Sequence, residues 1–228
     1  MIRLLLPFIT LITGLWVWSL LSSDGLGWSV YEHSLYLSGL LAISLMSLTT
    51  LLAFRPAWLA SLLGGRGQVF LAHKWAGILT GVFAVFHWLV EMGDDLFESV
   101  FGKSDTHAQD YSGFVDMMRD AAEAVGEFTV YLLFAMLLVS LARKYFPYKF
   151  WRLLHRVMPV LYLLLVFHGV WLTPVEWWLQ PLGFALAALL IGGSITSLLS
   201  ISGRISLASK SKPTSKPNST QANHIQAS

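Results

Sequence analysis

The sequence predicts an all-α integral membrane protein, a six-transmembrane-helix bundle, and three observations carry that expectation. Hydrophobic residues make up 55% of the 228 and charged residues only 12%, a balance that argues against a water-soluble domain. Six stretches approach the roughly 20 apolar residues that a spanning helix needs. Basic and acidic residues also fall in alternate connecting segments, as they do when a chain crosses a bilayer repeatedly.

The first stretch runs from about 4 to 21 and follows Arg3. It has no small-residue cleavage site and is long for the apolar part of a signal peptide, so a retained helix is expected. The next five run from about 33 to 54, 69 to 91, 125 to 143, 152 to 172 and 177 to 201. Residues 1–202 form the predicted helical domain. The remainder, 203–228, is rich in Ser, Lys, Asn and Pro, has little apolar surface to offset its ordering entropy, and is expected to be a disordered cytoplasmic tail.

With both termini inside, one set of segments collects Arg3, Arg55, Arg66, Lys74, Arg143, Lys144, Lys149, Arg152, Arg156, Arg204, Lys210, Lys212 and Lys216, 13 of the 15 Lys and Arg. All 13 acidic residues lie on the other side, ten of them between Glu91 and Glu127. The positive-inside rule then predicts a multi-pass protein of the cell inner (plasma) membrane with cytoplasmic N- and C-termini. Trp28, Trp88, Trp171, Trp177 and Trp178 fall near the outer interface and Trp58 and Trp151 near the inner one, where indole rings anchor in lipid headgroups.

Cysteine is absent, which excludes disulfides and thiolate-bound metals and leaves His, Met, carboxylate or backbone oxygen as ligands. Four histidines lie inside two of the apolar stretches: His73 and His87 in LAHKWAGILTGVFAVFHWLVE, His155 and His168 in FWRLLHRVMPVLYLLLVFHGVW. The 14-residue step rises about 21 Å and ends about 40° short of four full turns, so His73 and His87 share a face. The 13-residue step rises about 19.5 Å, a match in depth, but leaves His168 roughly 140° from His155 on a straight helix. Pro159 frees the carbonyl of His155 and bends the chain there, which is the expected remedy.

The two stretches run parallel, so His73 pairs in depth with His155 and His87 with His168. Neutral imidazoles paired at two depths predict axial ligation of two stacked b-type haems, an arrangement that transfers electrons without an open metal position. No catalytic residue is assigned. His33, His107 and His224 lack matched partners and are expected in loop or surface roles. Met46, Met92 and Met158 are expected to pack. Gly77 and Gly81 permit close approach of a flat macrocycle or of another helix, and Tyr162, Phe83 and Phe86 lie at depths between the two tiers. Lys149, Arg152, Arg156, Arg66 and Lys74 flank the inner pair, where they suit haem propionates or an acidic electron donor, although topological charge bias accounts for most of them. The acidic stretch 92–124, with Asp94, Asp95, Glu98, Asp105, Asp110, Asp116, Asp120 and Glu123, suits hard cations but shows no tight ligand spacing. A solvated loop with a short amphipathic helix over about 113–124 is expected there.

HKWAGILTGVFAVFH together with RLLHRVMPVLYLLLVFH resembles the ferric reductase-like transmembrane domain shared by ferric-chelate reductases and NADPH oxidases, over about residues 30–200. The resemblance implies bis-histidine haem roles for His73, His87, His155 and His168. Such proteins commonly continue into a cytoplasmic domain that binds FAD and a nicotinamide cofactor. No His-Pro-Phe-Ser/Thr motif or Gly-rich nucleotide loop follows Arg204 here, so FAD or FMN is expected only on a separate partner. The expected function is transmembrane electron transfer from a cytoplasmic flavoprotein or quinol to an external acceptor, ferric iron first, as an oxidoreductase component. A shorter relative, the haem-bearing membrane subunit of a periplasmic methionine sulfoxide reductase, gives the alternative of delivery to a periplasmic acceptor protein. A haem-free scaffold or transporter is the alternative of another class, because His and charged residues also line ion paths. Membrane lipid is an expected partner and nucleic acid is not.

Overall fold

Helix α1 (Ile2–Leu21) opens a computed structural model in which residues 2–22, 29–101 and 112–203 are described. It is followed by α2 (Val30–Phe54), α3 (Ala57–Leu63), α4 (Arg66–Met92), α5 (Asp94–Phe101), α6 (Phe114–Leu141), α7 (Tyr148–His155), α8 (Met158–Leu172) and α9 (Pro181–Ile201). Short 3-10 turns cover Arg143–Tyr145 and Val175–Leu179, and the described residues contain no strand. The protein is an all-α membrane bundle with six spans long and apolar enough to cross a bilayer: α1, α2, α4, α6, α7 with α8, and α9. The expected tail from Arg204 onward, and His107, His224, Trp28, Asp105 and Asp110, lie outside the described residues.

Local chemistry sets the ends of the central helix α2. Ser29 accepts from the Glu32 N–H at 3.2 Å while the Glu32 carboxylate accepts from the Ser29 N–H at 2.7 Å, a capping box that satisfies two orphan donors. At the other end Arg55 turns left-handed at φ 51° immediately before Pro56, which cannot continue the helix. Helix α2 packs on α1, α4, α8 and α9, so much more of it is buried than of any other span. Three of its hydroxyls return to the helix backbone: Ser38 donates to Ser34 O, Ser47 to Ile43 O and Thr49 to Leu45 O. Small hydroxylated residues of this kind let membrane helices approach closely.

Ile12, Trp16, Leu20, Leu40, Leu41, Trp177, Leu182, Leu186 and Leu190 form the core towards one end, and Leu5, Leu45, Leu52, Val69, Ala72 and Ala76 towards the other. Helix α1 belongs to both clusters and is further tied to the turn before α9 by a Ser19–Gln180 hydrogen bond. Between them Tyr162 is fully buried, its hydroxyl 3.0 Å from that of Ser47 and donating to Leu190 O at 3.2 Å. Exposed Val82, Phe86, Leu89, Phe184 and Ile191 face outward, as lipid contact requires.

Several boundaries depart from the sequence expectation. The short amphipathic helix expected near 113–124 is the first part of α6, continuous with the fourth span, because nothing in the run from Phe114 breaks the helix before Ala142. The acidic stretch carries a helix of its own, α5, with Asp94 and Asp95 in its first turn, where carboxylates favour the helix N-terminus. The sixth span starts at Pro181, and Trp177 and Trp178 sit in the preceding 3-10 turn. Trp177 is 3% exposed and belongs to the core, so it is no lipid anchor.

Candidate functional site

Helix α4 is unbroken from Arg66 to Met92, so His73 and His87 keep the one-face relation that the 14-residue step demands. The other pair is arranged differently. Helix α7 ends at His155, Arg156 and Val157 form a turn, and α8 restarts at Met158 with Pro159 in its first turn. Proline has no N–H to return to the His155 carbonyl. The chain therefore interrupts the helix rather than bending a continuous one, and the interruption re-aims His155 relative to His168.

The result is two matched tiers. The His73 and His155 rings stand 6.2 Å apart between centroids with planes at 80°. The His87 and His168 rings stand 6.3 Å apart at 83°. Two imidazole nitrogens at about 2.0–2.1 Å on opposite sides of one metal would put the ring centroids roughly 6.3 Å apart, once about 1.1 Å of ring radius is added on each side. Both separations fit that requirement. They are too long for a direct N–H···N hydrogen bond between rings meeting end to end, and α4 and α8 are not close-packed neighbours, so the rings reach across a gap between helices.

Three of the four rings are oriented by backbone carbonyls. His73 Nδ1 lies 2.9 Å from Thr49 O, His87 Nδ1 2.9 Å from Leu35 O and His168 Nδ1 2.8 Å from Ala122 O. A carbonyl only accepts, so Nδ1–H donates in each neutral ring, which leaves the Nε2 lone pair available to a metal and fixes the ring's aim. His155 Nδ1 has no such acceptor. It stacks instead on Trp151, 5.0 Å between centroids and 16° between planes, and Arg143 covers that indole at 4.7 Å.

Glycines make room for two of these rings. A Cβ on Gly39 would lie 2.9 Å from His87 Cε1, and one on Gly126 would overlap the imidazole of His168. Sequence reading missed both; a glycine inside an apolar membrane helix, within reach of a histidine-bearing helix, is the signal that marks them. Gly77 and Gly81, singled out from the sequence, face Thr49 of α2 and Leu137 of α6 and serve helix packing.

His33 makes an edge contact with Trp16. Met46 is buried beside Tyr162 and Leu133. Tyr162 turns its hydroxyl to α2 and α9, Phe83 packs against both main clusters, and Phe86 is 47% exposed, so it does not fill a gap between the tiers. Arg66, Lys74, Lys149, Arg152 and Arg156 are exposed at the end that carries His73 and His155, called here the basic end. At the opposite, acidic end, Arg119 ties α6 to α8 by donating to Trp171 O at 3.0 Å. Among the described residues no three His, Asp or Glu converge to hold a free metal ion.

Comparison with known proteins gives one family. The family model described as "Ferric reductase like transmembrane component" matches residues 38–166, more than half of the chain, and includes His73, His87 and His155. No curated protein matches the chain.

Proposed function

We propose, for a chain that belongs to the ferric reductase-like transmembrane family, that His73 with His155 and His87 with His168 hold two b-type haems and that the bundle conducts electrons across the membrane. The family is one of oxidoreductase components, and the six spans make this a multi-pass membrane member of it. The observation that carries the reading is the pair of ring separations, 6.2 and 6.3 Å. A haem held between the two imidazoles of each tier would supply single-electron transfer there.

The protein's own residues set the rest. Thr49, Leu35 and Ala122 carbonyls hold three rings in the ligating tautomer. The two tiers lie about 21 Å apart along α4, most of the ~30 Å hydrocarbon core. With the basic end cytoplasmic by the positive-inside rule, electrons enter at His73 and His155 from a flavoprotein or quinol and leave at His87 and His168. Ferric iron is the leading acceptor, and the acidic residues Asp94, Asp95 and Glu123 at that end favour a cationic one.

A pyridine haemochrome assay on the purified chain tests the reading. About two b-type haems per chain are expected, with one lost in His87→Ala or His168→Ala. Proteoliposomes loaded with reductant should then reduce an external ferric chelate, and both histidine variants should abolish that. A haem-free purified chain, or full haem content in both variants, refutes the assignment.

A further inference from the structure

A cavity of about 290 Å³ opens at the basic end beside His73 and His155, walled by α2, α4, α7, α8 and α9. Its wall is unusual for the interior of a membrane bundle. Trp151 Nε1 and Ser197 Oγ are buried and have no hydrogen-bond partner, and both residues line the cavity together with Arg152 and Arg156. Ser197 is 2% exposed. A serine within a membrane helix ordinarily returns its hydroxyl to the carbonyl one turn back. Ser38, Ser47, Thr49, Thr80 and Thr173 all do so. Ser197 does not, nor do the buried Ser44 and Thr129, but of these three only Ser197 lines the cavity, and Thr196 beside it takes the Gly193 carbonyl.

Two buried donors and two arginines around one cavity call for an acceptor with negative charge, since a buried donor left without a partner bears the full cost of its lost hydration. We infer that this cavity is a carboxylate-recognition site: Arg152, Arg156, Trp151 Nε1 and Ser197 Oγ bind the propionate edge of the macrocycle that His73 and His155 ligate. The assignment rests on the two-haem reading. It adds a direction, placing the carboxylates towards α7 and α9 at the basic end, and it gives the last span a part in the site that no histidine on it supplies. Charge-assisted bonds of this kind are about twice as strong as neutral ones, and guanidinium groups match carboxylates in geometry.

The test uses the full chain carrying His168→Ala, so that only the basic-end tier is loaded, produced without haem and titrated with either iron protoporphyrin IX or its dimethyl ester. The ester keeps the iron and the ring but removes the negative charge of both propionates. The free acid is expected to bind about tenfold or more tightly than the ester. That preference should shrink in Arg156→Gln and in Trp151→Phe/Ser197→Ala, while the ester's affinity stays within about twofold. The reduction midpoint of the bound iron should fall in Arg156→Gln, because a cation near the iron favours the ferrous state. Equal affinity for acid and ester, or a preference unchanged by all three substitutions, overturns the carboxylate site while leaving the histidine assignment standing. Failure of the unsubstituted chain to hold any haem overturns both.

Discussion

One methyl group placed at three helical glycines should have three different effects on the acidic-end tier. At Gly192 in α9 an added Cβ meets Leu51 at 3.5 and 4.0 Å, ordinary contact, so Gly192→Ala gains up to about 1 kcal/mol of helix propensity and costs no haem. At Gly39 the Cβ lies 2.9 Å from His87 Cε1 and 3.0 Å from its Nδ1. Restoring a 3.4 Å contact moves the ring by about 0.5 Å, the limit within which a ligating group keeps its geometry. The same displacement stretches the 2.9 Å bond to Leu35 O, which is worth about 0.5–1.5 kcal/mol. Haem affinity of this tier should therefore fall by about three- to tenfold. At Gly126 the Cβ overlaps the imidazole of His168, so the ring cannot remain. Gly126→Ala should leave about one haem per chain. Reduced-minus-oxidised spectra and haemochrome stoichiometry on the three purified variants measure the order, with circular dichroism to show that helix content is kept. Full haem content in Gly126→Ala, or as great a loss in Gly192→Ala as in Gly39→Ala, refutes the role given to the two glycines behind the rings.

Other perturbations have equally defined outcomes. Tyr162→Phe removes the bonds to Ser47 and Leu190 O while Ser47 keeps Ile43 O, so denaturant titration in detergent should show a loss of about 1–2 kcal/mol without loss of haem. Gly193→Ala drives a Cβ into the Tyr162 hydroxyl, and overpacking of this kind costs about 1–3 kcal/mol by the same measurement. Ser29→Ala breaks the capping box at the start of α2 and should cost about 1 kcal/mol, with thermal unfolding as the readout.

Apolar run length and the separation of Lys and Arg from Asp and Glu made the six spans legible in the sequence, because the bilayer imposes both features directly. The relation of His73 to His87 was equally legible, since α4 is an unbroken helix and ideal geometry applies to it. That of His155 to His168 was not. A proline announces that helical hydrogen bonding changes, but whether the chain bends or stops depends on tertiary contacts around Arg156 and Val157. A helix from about 113 was expected, but its continuity with the fourth span was hidden because its first turns carry Asp116, Arg119, Asp120 and Glu123, which hydropathy keeps out of a span. The carbonyls of Thr49, Leu35 and Ala122 carry no residue-specific signal at all. Any amino acid presents one, and only the folded helices show which face an imidazole.

The turn at Arg156–Val157 gives the two tiers different compliance. His87 and His168 are each pinned by a carbonyl from a neighbouring helix, whereas His155 rides on an eight-residue segment at the bundle's rim, held by an indole and hinged at two residues. A load applied to that rim, such as the approach of another molecule to Arg143, Tyr148 or Arg152, acts on the segment that carries the ring. The opposite tier, braced on both sides, is insulated from it.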